Sequence, residues 1–207
     1  MHNAQTVFIV DDDEGVRESL SLLLDSINQP SELFESALDF LAAYDPARGG
    51  CLVLDIRMPR MTGLDLQEKL NEQGSSLPII FITGHGDIPM AVEAMRRGAL
   101  DFIRKPFREQ DLLDRINEAF TCDTDTRQKL RDQKQLADKI ASLTGREHEV
   151  FNRVANGEMN KVIAQELNIS ERTVEVHRSQ VMKKLDVRTL AQLVRIKIES
   201  DMDHRSE

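Results

Sequence analysis

Four polar groups, each closing an apolar run, define the chemistry available to this chain. The acidic stretch Asp11-Asp12-Asp13-Glu14 follows VFIV, Asp55 ends CLVLD, Thr83 ends PIIFIT, and Lys105, followed by Pro106, ends DFIRKP. Phosphate-cradling loops offer glycine N–H groups to an anion, whereas a run of aspartates repels one, which disfavours a flavin or dinucleotide site. Two carboxylates about 5 Å apart repel by roughly 3 kcal/mol at an effective dielectric of about 20, so the cluster wants a cation. Hard oxygen ligands with room for water suit Mg²⁺. With Asp12 and Asp55 on the metal, an incoming phosphoryl group can complete its shell. The Lys105 ammonium and the Thr83 hydroxyl then meet the phosphoryl oxygens. Asp55 is thereby placed as the nucleophile.

Such a rim needs strands that deliver their last residues to one edge. Apolar runs at 7–10, 51–55, 78–83 and 101–106, and a weaker strand near 32–34, alternate with helix-period segments near 14–27, 36–44, 63–72, 88–98 and 109–120. Five βα units predict an α/β fold, a five-stranded parallel sheet covered on both faces and closed as a doubly wound sandwich. Ligands of such sheets bind outside the carboxyl ends of the strands, where the four polar groups fall.

After about Glu109 the strand signals stop. Residues 121–142 are polar with Leu130, Ala137 and Ile140 at helical spacing, which predicts a helical linker, either a solvated connector or a short coiled-coil seam. Thr144 with Glu147 three positions on forms a capping box opening a helix that ends at Asn156-Gly157. Two helices follow near 160–167 and 171–185, separated by a turn at Asn168 and capped by Ser170, and a last helix spans about 189–200.

Length and charge fit a two-part chain. The sequence has 207 residues; positions 1–122 carry 11 basic and 21 acidic side chains, 123–207 carry 16 and 15, and 144–198 carry 10 and 7. The local cationic excess sits on the helical end, where an anionic partner would be met. Cys51 and Cys122 form no metal-ligand pair and read as free thiols in a reducing cytosol. No basic leader and no run of eighteen apolar residues appears, so the expectation is a cytoplasmic protein without a membrane partner.

The set VDDDE, LDIRMP, ITGHGD and DFIRKPF resembles the receiver domain of two-component response regulators, and GHGDIPMAVEAM resembles the FixJ subfamily in particular. The resemblance covers about 1–122 and implies the flavodoxin-like strand order 2-1-3-4-5 with phosphorylation of Asp55 by a sensor histidine kinase. It further implies Mg²⁺ held by Asp12, Asp55 and the main-chain carbonyl of Arg57, with Asp11 assisting through water. Thr83 and Phe102 match the family's switch pair, and Lys105-Pro106 matches its cis bond. His85 reads as a loop residue; Met90, Met95 and Phe107 read as packing.

On a helical wheel of 171–185, Val174, Val181 and Leu185 share one side while Arg172, Val176, Ser179 and Lys183 share the other, flanked by Glu175 and Gln180. Two cations and a valine facing outward suit a helix that reads DNA: cations meet phosphates, Ser179 bonds a base edge or a phosphate, and Val176 meets a thymine methyl. Asn160 and Lys161 open the preceding helix, a second phosphate-facing position. The segment 143–198 resembles the LuxR-type helix-turn-helix, which makes 171–185 the recognition helix and the last helix a dimer contact. Glu175 stands where some relatives are basic; it lowers nonspecific affinity and could instead accept from cytosine N4.

The predicted organisation is therefore a receiver at 1–122, a helical linker at 123–142 and a DNA-binding domain at 143–207. The expected function is phosphorylation-controlled transcriptional regulation, with promoter DNA, a homodimer partner and RNA polymerase. The rival, an aspartate-nucleophile phosphohydrolase of the haloacid-dehalogenase type, needs a second acid two residues after the nucleophile, where this chain has Arg57.

Overall fold

A computed structural model of the chain describes residues 5–84 and 88–203. His85, read above as a loop residue, lies outside the described residues. The element order is β1 (Thr6–Val10), α1 (Glu14–Ser26), β2 (Ser31–Phe34), α2 (Ala37–Ala43), β3 (Gly50–Asp55), α3 (Gly63–Glu72), β4 (Ile79–Thr83), α4 (Ile88–Arg96) and β5 (Asp101–Arg104). Then come α5 (Glu109–Ala141), α6 (Gly145–Ala155), α7 (Asn160–Leu167), α8 (Glu171–Lys184) and α9 (Leu190–Asp203). The five strands pair in parallel in the order β2-β1-β3-β4-β5, as the resemblance implied.

Every residue of β1, β3 and β4 is buried, which explains their unbroken apolar character. The pleat divides them between two cores. Phe8, Val10, Leu52, Leu54 and Phe81 face one side with Phe40 of α2 and Leu66 and Leu70 of α3. Val7, Ile9, Val53, Ile80 and Ile82 face the other with Leu20 and Leu24 of α1 and Leu112 and Ile116 of α5. Met90 packs against the first core and Phe107 against the second, as expected, while Met95 is 44% exposed and does not serve as packing.

One glycine is dictated by geometry at the start of β3. Gly50 has φ of +150°, and a Cβ there would sit 1.9 Å from the Thr6 carbonyl oxygen. A side chain at that position breaks the β1–β3 pairing.

Where two helical pieces were expected beyond Glu109, α5 is one helix of 33 residues. No glycine or proline interrupts the sequence between Phe107 and Thr144. The polar residues that follow Phe120 are accommodated within the helix: the Thr121 and Thr124 hydroxyls donate back to the carbonyls of Asn117 (3.0 Å) and Phe120 (2.8 Å). Asp123 is buried, accepting from the Gly50 N–H at 3.0 Å and from Arg127 Nε at 2.7 Å. Arg127 in turn donates to the carbonyls of Pro46 (3.0 Å), Ala47 (3.2 Å) and Arg48. The chain divides into two compact units between Gln128 and Lys129, just past this group.

In the second unit, helices α6 to α9 enclose Val150, Phe151, Ile163, Val174, Val181, Leu185 and Leu193. Its local signals behave as read from sequence. The Thr144–Glu147 capping box is formed, Asn168 adopts the left-handed conformation at φ 54°, and Ser170 caps α8 by accepting from the Thr173 N–H. Ile140 packs against this core, which removes it from the suggested seam, while Leu130 and Ala137 are exposed.

Candidate functional site

The carboxyl ends of β1, β3, β4 and β5 bring Asp11, Asp55, Thr83 and Lys105 to one rim. Asp11 and Asp55 are buried, at 3% and 8% exposure, and the Lys105 ammonium reaches both: Nζ donates to Asp11 Oδ2 at 2.7 Å and to Asp55 Oδ1 at 3.2 Å. The other Asp55 oxygen accepts from the Arg57 backbone N–H at 2.7 Å. Asp11 Oδ1 accepts from the Asp13 N–H at 2.9 Å. The Lys105-Pro106 bond is cis.

One ammonium between two buried acids leaves the site short of positive charge. Burial pushes the Asp55 pKa above its ordinary value; Lys105 opposes this, while the neighbouring Asp11 adds to it. Burial by itself would depress Lys105, yet the hydrogen bond and charge of Asp11, and then Asp55, lift its pKa. Carboxylate oxygens in this arrangement are hard donors that fit a divalent cation such as Mg²⁺. In the geometry described here Asp11 and Asp55 turn to Lys105, and among the described residues no three acid, histidine or cysteine side chains converge as a metal-ligating group.

The remaining rim residues differ in how closely they join this centre. Asp12 is exposed and makes no hydrogen bond or ion pair among the described residues, so its carboxylate is available. Thr83 is buried at the end of β4, one residue beyond Ile82, the register partner of Asp55. Phe102 is half-buried on β5, opposite Phe81, and packs against the core under α4. Arg57 contributes its backbone here, and its side chain is exposed.

Two positions were not legible as part of the site. Asp13, one of three consecutive aspartates, is the N-cap of α1, accepting from the N–H groups of Gly15 and Val16. Gly63 lets the start of α3 abut the end of β3: a Cβ there would lie 2.3 Å from the Asp55 carbonyl oxygen and 2.9 Å from the Phe81 ring. The only sequence signal for it is its place after Thr62, which caps α3.

In the second unit, Arg172, Glu175, Val176, Ser179 and Lys183 are all exposed along α8, and Lys161 is exposed in the first turn of α7. Val174 and Val181 are buried on the opposite side. The cations of α8 divide by role. Arg178 Nη1 donates to Asn160 Oδ1 at 2.6 Å, and Lys184 Nζ donates to Glu147 Oε2 at 2.6 Å and to the Ser142 carbonyl at 3.1 Å. Among the described residues Arg172 and Lys183 have no such partner, which leaves them open to an external anion. Asn160, read above as phosphate-facing, spends its side-chain oxygen on Arg178.

Comparison with known proteins decides the family. Residues 7–117 match the response regulator receiver domain, and residues 141–197 match the luxR family of bacterial regulatory proteins. The chain is a two-component response regulator. The response regulator protein TodT of Pseudomonas putida is 47% identical over 193 residues, covering 93% of this chain and 85% of TodT. The transcriptional regulatory protein FixJ of Bradyrhizobium diazoefficiens is 40% identical over 196 residues, covering 95% and 96%. Among solved structures, the response regulator StyR matches with a TM-score of 0.88 at 49% identity, covering 95% of this chain and 99% of StyR. Full-length FixJ from B. japonicum matches with a TM-score of 0.58 at 40% identity, covering 96% and 98%. The response regulator thus joins a receiver to a LuxR-type DNA-binding domain and is a transcriptional regulator. A receiver implies a histidine kinase partner, and no described helix is long and apolar enough to cross a membrane.

Proposed function

We propose that Asp55 is the phosphoacceptor of this response regulator. The observation that carries the reading is the shared ammonium: Lys105 holds Asp11 and Asp55 together at the carboxyl rim of the sheet, at 2.7 and 3.2 Å. An Asp55 carboxylate oxygen attacks phosphorus in the phosphohistidine of the kinase; the P–O bond forms as the P–N bond breaks and the imidazole leaves. Lys105 and the Thr83 hydroxyl bind the peripheral phosphoryl oxygens, and burial excludes water from the acyl phosphate. Asp12, Asp55 and the Arg57 carbonyl, with Asp11 through water, are the groups that would hold Mg²⁺, whose charge offsets that of the phosphoryl group. The Thr83 hydroxyl moving to the phosphoryl group frees space into which Phe102 turns, changing the surface of α4 and β5.

In this reading the exposed side of α8 enters the major groove, with Arg172, Lys183 and Lys161 on phosphates and Val176 and Ser179 at base edges. Phosphorylation favours a homodimer that binds two half-sites of promoter DNA in the cytoplasm and engages RNA polymerase. Intact-mass measurement after acetyl phosphate and Mg²⁺ treatment tests the central step. The wild-type chain gains one phosphoryl group and Asp55→Asn gains none. An adduct of equal yield on Asp55→Asn would refute the assignment.

A further inference from the structure

Glu175, an acid of α8 with no ion pair among the described residues, carries an inference that rests on α8 being the DNA-reading helix. Several acids in this unit hold cations: Glu147 with Lys184, Glu149 with Arg146, and Glu158 and Glu166 with Arg153. Glu171, like Glu175, pairs with no cation among the described residues, but it sits in the first turn of α8, where the helix N-terminus favours an acid. Arg172 and Arg178 are three residues away on either side, within reach on a helix, yet neither pairs with it. Its carboxylate is exposed on the first half of α8, beside the exposed Val176 and between two free cations, Arg172 and Lys183.

A free carboxylate brought into the major groove is repelled by phosphates at every site, so it selects for the few positions that offer it a donor. Guanine presents N7 and O6, thymine presents O4, and both repel it. Adenine offers an N6 donor with the N7 acceptor alongside. Cytosine offers its N4 amino group with no acceptor beside it on that edge. We propose that Glu175 is a specificity-determining residue that accepts a hydrogen bond from cytosine N4 and excludes guanine from the same strand position. Its cost in general affinity is the means by which wrong sites are rejected.

The test is selection from a random-sequence duplex library by the full chain treated with acetyl phosphate and Mg²⁺, repeated with Glu175→Ala, Glu175→Gln and Arg172→Ala. The wild type enriches a half-site with cytosine at one position. Glu175→Ala loses that preference by roughly 5- to 100-fold and binds unrelated duplexes more tightly. Glu175→Gln moves the preference toward adenine. Arg172→Ala weakens binding to all duplexes alike and makes the salt slope shallower by about one. An unchanged base preference in Glu175→Ala, alongside the expected loss in Arg172→Ala, overturns the assignment alone. Unchanged affinity and salt slope in Arg172→Ala overturn the placement of α8 on DNA, and the assignment with it.

Discussion

A lysine meets a buried carboxylate in both units, with opposite results. In the receiver, Lys105 is divided between Asp11 and Asp55, and the Asp55 pKa rises because burial outweighs the lysine. In the DNA-binding unit, Lys184 serves Glu147 alone among the described acids, and the Thr144 N–H also donates to that carboxylate at 2.7 Å. The Glu147 pKa falls to about 2, first through Lys184 and then through Thr144. The first acid lacks positive charge and invites more; the second is fully satisfied. Contact with a lysine does not by itself set the direction of the shift, since Lys105 reaches Asp55 at 3.2 Å and Lys184 reaches Glu147 at 2.6 Å with opposite outcomes. Burial that outweighs the lysine, together with the second acid sharing the cation, does.

Removing one partner of each carboxylate sharpens the contrast. Lys105→Ala leaves two buried carboxylates facing each other and costs the receiver about 3 kcal/mol at neutral pH without metal, read from amide exchange of β1 and β3. Added Mg²⁺ recovers part of that loss; stability indifferent to both the substitution and the metal would break the comparison. In the other unit Thr144→Ala removes one side of the capping box and costs about 1 kcal/mol, measured on the α6 amides.

Acid separates the two units further. Glu147 has its ordinary pKa of 4.5 when unfolded and about 2 when folded, so its stabilisation is complete above 4.5 and is lost as pH falls toward 2. Glu147→Gln flattens the stability of α6 to α9 across that window, and an unchanged acid profile would remove Glu147 as its cause. The smallest expected effect is Arg195→Ala. Its pair with Glu199 lies in solvent, with side chains 81% and 44% exposed, and the change shifts stability by less than about 0.5 kcal/mol.

The fold was legible where one local signal had one structural outcome. Continuous apolar runs gave β1, β3 and β4, and the box at Thr144, the turn at Asn168 and the cap at Ser170 each formed where their residue types placed them. The rim was legible because the parallel topology carries strand ends to one side. The three aspartates at 11–13 were not separable in sequence, because cap, buried anion and exposed anion use the same side chain; only the start of α1 distinguishes Asp13. Gly63 and the pairing of Lys184 with Glu147 depend on contacts between elements, which no local pattern encodes. α5 was read as two pieces because the sequence turns polar after Phe120; the polar Thr121, Asp123 and Thr124 find their partners within the helix or across on the β3 amide, so the helix runs on.

β3 has Asp55 at its last residue and, at its first, the Gly50 amide held by Asp123, six residues past the segment that matches the receiver family. Anyone grafting a different output module onto this receiver should place the splice after Arg127. A chimaera joined at residue 117 would inherit β3 with the end opposite Asp55 untethered and the carbonyls of Pro46, Ala47 and Arg48 stripped of their donor.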